Sequence, residues 1–305
     1  MSAIVEEVPE EGGLEITDIS TIPSEPPAEL FYVHQRRGIL TWAGMAWQRR
    51  DVIFTLAERD IRAAYKQQVL GLGWLLIMPL FTLIIFNLLL HNQSSFQMPH
   101  GKHVPPVPYV LATYTGLWGW GFFSGALGGG TGSLIQNKVM MSKTHFPREC
   151  FPLSQIIESG FTSTIAIVIF FVLFPAEGYL PKLGTLWVPL YIAVEIPFVV
   201  GVVLLMSSVV VQARDLMQVM GMMTQFGMLA SCVLYPFTKF PAPVRPFYSF
   251  INPLAPVIDS MKNSILLGRA PEWGYLGIAA CGGLAFFVVG YTVFKKLEVN
   301  FADLT

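Results

Sequence analysis

The chain reads as an all-α membrane protein with six transmembrane helices, an N-terminal interfacial amphipathic helix and re-entrant half-helices between spans five and six. Three observations predict this. Of 305 residues, 53% are hydrophobic and 13% charged, against roughly 25% charged in a soluble domain, which leaves too little polar surface to cover a globule in water. Six apolar runs are long enough to cross roughly 30 Å of hydrocarbon as helices that satisfy their own backbone groups. Basic residues gather on one set of the loops between them. A soluble enzyme is thereby excluded, and nucleic acid is not a partner that this charge pattern supports.

The first 30 residues carry Glu6, Glu7, Glu10, Glu11, Glu15, Asp18, Glu25 and Glu29 without a Lys or Arg, and Pro9, Pro23, Pro26 and Pro27 among them. With few large apolar side chains they cannot bury enough surface to fold, so residues 1–30 read as a disordered acidic leader. The remainder holds 19 basic against 12 acidic residues, as suits a protein that faces anionic headgroups on one side. From 31 to 66, Leu40, Trp42, Met45, Trp47, Val52, Phe54 and Leu56 alternate with basic clusters, the pattern of a helix lying in the interface; attachment to a partner protein would look the same.

Residues 67–305 form the six-span domain. The runs are Val69 to Leu90, Val107 to Ile135, Leu153 to Phe174, Leu186 to Val211, Val219 to Phe237 and Tyr275 to Phe294, with Glu158 and Glu195 as their only ionised residues. Thirteen Lys and Arg fall on one side, seven of them between Arg36 and Lys66, and six on the other: Lys102, Lys182, Lys239, Arg245, Lys262 and Arg269. The positive-inside rule then places both termini in the cytoplasm. Between Tyr235 and Gly274 the chain is too apolar for a free loop, while Pro241, Pro243, Pro246, Pro253 and Pro256 forbid one continuous helix. An outer re-entrant segment over 238–274 fits this, with about four helical turns from Pro253 to Gly268.

Sites of covalent chemistry are missing from the pattern. Cys150, Cys232 and Cys281 are odd in number and far apart, and encode neither a disulfide framework nor a metal site. No basic and apolar secretory leader opens the chain, so the first span is expected to serve as its own insertion signal. The glycine-rich run from Gly125 to Ser133 lacks the Lys and the preceding strand of a phosphate loop; Gly121, Gly125 and Gly129 instead mark one helix face for close packing. His91, His100 and His103 share the first outer loop at no metal-site spacing. Glu195 lies deep in the fourth span and is either a proton carrier or a buried structural acid, whereas Glu158, nearer the cytoplasmic end, is structural. Aromatic residues recur in the first, second and fifth spans, where they serve as packing residues or as faces on which sugar rings slide.

The stretch RDIRAAYKQQVLGLGWLLIMPL from Arg59 resembles the entry to the first span in permease subunits of ABC-type polysaccharide exporters, the family that moves O-antigen, capsule or teichoic-acid chains. Its matching positions are Arg59, Asp60, Tyr65, Lys66, Leu70, Gly71, Trp74 and Pro79. NKVMMSKTHFPRECFPLS from Asn137 is similar to the family's cytoplasmic loop, with Arg214-Asp215, Asn252-Pro253 and FKKLEVNFADLT from Phe294 following in order. The acidic leader departs from the pattern.

The resemblance implies a homodimer bound to two copies of a separate ATPase, which carries ATP and Mg, exporting a lipid-linked polysaccharide across the bacterial inner membrane through a channel at the dimer interface. It makes 137–152 the coupling loop, with Lys143, His145, Phe146, Pro147, Arg148 and Glu149 receiving the motion of the ATPase. By the same carry-over Trp74, Phe81, Phe226 and Tyr235 line the glycan channel, and Asn252, Pro253, Pro256 and Asp259 belong to the outer gate. Arg59, Arg62 and Lys66 stand where a lipid pyrophosphate arrives, since charge-assisted contacts to phosphate give Arg a role there. The chain itself then holds no cofactor, metal or catalytic residue. Two other classes remain open: a proton-coupled secondary carrier using Glu195, and a membrane enzyme acting on lipid-linked sugars, for which no paired-carboxylate motif is present.

Overall fold

The computed structural model of the chain describes residues 44, 47–66, 70–90, 107–143 and 147–298. The acidic leader, the start of the interfacial region, the three outer-loop histidines, His145, Phe146 and the tail beyond 298 lie outside the described residues. Among the described residues there are helices and turns and no strand.

α1 (Arg50–Tyr65) buries Ile53, Leu56 and Ala57 and packs on α5. The predicted amphipathic helix therefore rests part of its apolar face on its own protein, while Trp47 and Phe54 stay exposed. A short 3₁₀ turn at Gly71–Gly73 leads into α2 (Trp74–Leu90). Gly71 sits at φ 49°, a left-handed conformation that costs a side chain and that glycine adopts freely. α3 (Tyr109–Gln136) and the short α4 (Lys138–Lys143) follow. The third predicted run divides into α5 (Cys150–Ala166) and α6 (Val168–Ala176). The fourth and sixth become α7 (Val188–Gln212), entered by a 3₁₀ turn at Leu183–Trp187, and α11 (Trp273–Glu298).

Among the described residues, four helical segments are long and apolar enough to cross a membrane: Gly71–Leu89, Cys150–Ala176, Leu183–Gln212 and Trp273–Glu298. Two of the six expected runs differ. α3 has 28 residues, about 42 Å at 1.5 Å per residue, but Gly, Ser and Thr dilute its hydropathy. α8 (Leu216–Ala230) has 15 residues and ends seven short of the predicted Phe237. It stops where Cys232 turns to φ 59° and the buried Lys262 takes up the carbonyls of Cys232 and Val233. In the proline-rich stretch no single helix runs through; it forms a 3₁₀ turn at Phe237–Lys239, α9 (Arg245–Ile251) and α10 (Leu254–Leu267). Gly268, at φ 70°, ends α10 with its N–H on Ser264 O, the bond of an αL cap, and the N–H of Arg269 reaches Asn263 O.

The break between α5 and α6 at Ile167 has no proline. Trp118 Nε1 donates to Ser163 O at 2.8 Å and Tyr114 Oη to Ala166 O at 2.6 Å. The helix tightens there, with Ile167 N–H on Thr164 O and Phe170 N–H on Ile167 O. Two side chains of α3 thus occupy carbonyls at the bend.

The tightest packing joins α7 to α11. A Cβ at Gly290 would run into the carbonyl of Gly201, and one at Gly201 into the backbone of Phe286 and Phe287. α3 meets α5 with Gly125 against Ser159 and Gly129 against Gln155, and its Gly130 meets Val203 of α7. Of the predicted stripe, Gly121 alone faces open space. Leu111, Tyr191, Val257, Met261 and Leu276 then close a core shared by α3, α7, α10 and α11.

Candidate functional site

Three places gather the chemistry. The first is the end where α1, α4 and the start of α5 meet. Arg59 donates to Asn137 Oδ1 at 2.8 Å, to Met140 Sδ at 3.2 Å and to Asp60 Oδ1 at 2.8 Å. Asp60 Oδ2 accepts Gln155 Nε2 at 2.8 Å, so one strut of side chains ties α1 to the ends of α3 and α5. Arg62 reaches only its helix neighbour Glu58, at 2.5 Å and exposed, and Lys66 is exposed at the helix end. Of the three basic residues assigned to a pyrophosphate, Arg59 is thus engaged within the protein, while Arg62 and Lys66 face outward.

The coupling residues divide in the same way. His145 and Phe146, with the side chain of Lys143, lie outside the described residues. Pro147 is half-buried. Arg148 donates to the carbonyl of Glu298, and the buried Glu149 accepts Lys295 Nζ at 2.9 Å, which also holds Glu298 Oε2 at 2.8 Å. Arg148 and Glu149 consequently pin the start of α5 to the end of α11. A charged pair buried at a helix end needs such partners, and they are supplied from 146 residues away in sequence.

The second place is a cavity of about 490 Å³ under α2, lined by Tyr65, Trp74, Met78, Tyr114, Trp118 and Thr162 among others. Trp74, 38% exposed, stands on its rim. The other aromatics assigned to a channel are elsewhere. Phe81 and Phe226 are exposed on α2 and α8, and Tyr235, beyond α8, donates its hydroxyl to Leu229 O at 2.6 Å. Within one copy, no single cavity among the described residues brings the four together. Phe81 and Phe226 lie on apolar exposed faces that also carry Ile84 and Leu88 on α2 and Met222 and Met223 on α8.

The third place is the opposite end, around α10. Asp259 accepts the N–H of Phe237 at 2.9 Å and Asn263 Nδ2 at 3.0 Å. Asn252 donates to Ser231 Oγ at 3.1 Å, and Pro253 and Pro256 are buried in the first turn of α10. The predicted gate residues thus hold the broken segment 231–240 against α10. Lys262, counted from sequence among the loop charges that set orientation, is 2% exposed. Its ammonium donates to Cys232 O and, at 2.7 Å, to Val233 O. A buried cation that satisfies two freed carbonyls is a structural group, and the sequence signal that could have revealed it is its place one turn after Asp259 inside an apolar helix.

Glu195 is 1% exposed, and its Oε1 finds no hydrogen-bond partner among the described residues. No group of three or more His, Cys, Asp and Glu residues is placed to hold a metal among the described residues.

The comparisons with known proteins agree with this outline. The chain is 26% identical over 257 residues to an O-antigen export system permease protein RfbA of Klebsiella pneumoniae, an alignment covering 83% of this chain and 95% of that protein. It is 21% identical over 258 residues to a protein of the same name from Myxococcus xanthus, covering 84% and 96%. Residues 51–266 match the ABC-2 type transporter membrane family, from α1 through α10. Over most of its length, then, this chain is an integral membrane subunit of the ABC-2 transporter family.

Proposed function

We propose that the chain is the permease half of an ATP-driven exporter that moves a lipid-linked surface polysaccharide across the bacterial inner membrane. The observation that carries the reading is the near full-length similarity to permeases named for O-antigen export. In this reading six segments cross the bilayer, α3 and α8 with its broken extension being the second and fifth. Both termini are cytoplasmic, and 238–274 is re-entrant. Two copies assemble with two ATPase subunits that bind ATP and Mg. The loop 137–152 receives their motion, and the exposed faces of α2 and α8, with Phe81 and Phe226, come together across the dimer to line the glycan path. Arg62 is offered to the lipid pyrophosphate, and Arg59 stiffens the helix that presents it. Nothing covalent happens on this chain, so the ATPase must bind its states with different affinity to drive the cycle.

The test is co-purification with the ATPase, followed by reconstitution in liposomes. ATP turnover that rises with added lipid-linked glycan, and no transport by this chain alone, is the expected result. Uphill transport by the chain without an ATPase would overturn the reading. The lone Oε1 of Glu195 favours a second reading, a proton-coupled carrier. In that case Glu195→Gln abolishes transport driven by a pH gradient, and ATP-driven export that is untouched by this substitution removes the carrier reading.

A further inference from the structure

The cavity under α2 has a chemistry unlike a sugar site. It runs from Tyr65, the last residue of α1, and Trp74, the first of α2, to Ser163 and Ala166, near the middle of the apolar segment Cys150–Ala176. It therefore reaches from the α1 end to about the midpoint of that segment. Its volume, about 490 Å³, lies within the 300–1,000 Å³ or so of ligand sites. Three of the polar side chains in its wall are already committed. Tyr114 Oη and Trp118 Nε1 donate to carbonyls of Ala166 and Ser163, and Thr162 Oγ1 to Ser159 O at 2.9 Å. The hydroxyls of Tyr65 and Ser163 and the indole N–H of Trp74 are the polar side-chain groups that remain in the wall, too few to replace the hydration of a buried sugar, whereas a hydrocarbon chain asks for none. The rim is open at Met78, 58% exposed, and the floor is closed at Tyr114, 1% exposed. Beside the mouth, Lys66 follows Tyr65 and Arg62 precedes it by one turn, both exposed, which complements a negative headgroup.

We infer that this cavity holds one acyl chain of an anionic phospholipid from the leaflet at the α1 end, with the headgroup beside Lys66. The lipid takes the place of protein packing between α2 and the α3–α5 pair, and Trp74 faces that chain rather than the glycan. The inference requires only that the chain sits in a bilayer, and stands apart from the identity of the cargo.

The test uses the full chain in nanodiscs containing phosphatidylglycerol with a photoreactive group on one acyl chain, adducts being mapped by mass spectrometry. Adducts concentrated on Trp74, Met78 and Trp118, above those on the exposed Phe171 and Val172, are expected. Gly121 lines the cavity and has nothing within 4 Å of a Cβ, so Gly121→Leu fills it without collision and removes these adducts at unchanged unfolding temperature. Lys66→Gln lowers them by about fivefold, the weight of one basic residue at an anionic surface. This second variant and a matched phosphatidylcholine probe, expected to label weakly, decide the matter should Gly121→Leu fail to fold. Uniform labelling of all exposed faces, labelling insensitive to both substitutions, or equal labelling by phosphatidylcholine would overturn the inference. Stronger labelling by a photoreactive isoprenoid diphosphate would also overturn it, and would give the cavity to the carried lipid while leaving the exporter reading intact.

Discussion

α7 and α2 are both apolar helices of membrane-spanning length, yet 67% of the most hydropathic window of the α7 segment is buried inside the protein and 6% of that of α2. The difference lies in what each helix offers a neighbour. α7 presents Gly201 to Gly290 of α11, so the two backbones touch. α2 offers large side chains, Phe81, Ile84 and Leu88, that no described element of the chain covers, and a cavity lies beneath it. In lipid there is little hydrophobic gain in pressing one apolar face on another, so close backbone contact and satisfied polar groups decide what is rigid. The molecule thus divides into a frame of α3, α5, α7, α10 and α11 and two thinly attached faces, α2 and α8.

Four substitutions break or sharpen that division. Lys262→Met leaves the carbonyls of Cys232 and Val233 unpaired and removes the cation one turn from Asp259. It should cost about 4 kcal/mol, in line with losing one member of a buried polar set, and lower the thermal unfolding temperature of the detergent-purified protein more than any other change considered. Gly290→Leu forces α11 off Gly201 and should cost about 3 kcal/mol, since overpacking against backbone cannot be relieved by a rotamer. If either leaves unfolding within about 0.5 kcal/mol of wild type, the frame is not where its packing places it. Arg59→Ala cuts the strut to Asn137 and Asp60. Its side chain is 41% exposed, so the expected loss is near 1 kcal/mol, with faster proteolysis of α1 as the visible sign. Phe81→Ala should change stability by less than about 0.5 kcal/mol while lowering export; a drop of 2 kcal/mol or more would move α2 into the frame.

Much of the frame was legible in sequence. Apolar runs locate α2, α7 and α11 to within a few residues, because a helix in lipid must be continuous and uncharged. The prolines between 241 and 256 announce the broken outer segment, and the Gly125–Gly129 spacing announces the contact with α5. The rest depends on partners far apart in the chain. The break at Ile167 is set by Tyr114 and Trp118 from another helix, and nothing local to the third run marks it. The end of α8 at Ala230 is hidden because the run stays apolar through Leu234. Lys262 was counted as an outer-loop charge because charge in sequence carries no sign of burial. The tie from Glu149 to Lys295 joins two segments 146 residues apart that no local pattern connects. Among the candidate site residues, whether an aromatic such as Trp74 meets sugar or lipid is a matter of neighbours that spacing does not encode.

In the proposed exporter the thinly attached α2 faces its counterpart across the dimer and moves when the ATPase acts. Spin labels placed by Phe81→Cys in a Cys281→Ser background, which removes the exposed native thiol, report the separation of the two α2 helices in the reconstituted complex. One inter-copy distance that shifts on adding ATP is the predicted result. No inter-copy coupling, or a distance that ATP leaves unchanged while glycan is exported, would contradict the claim.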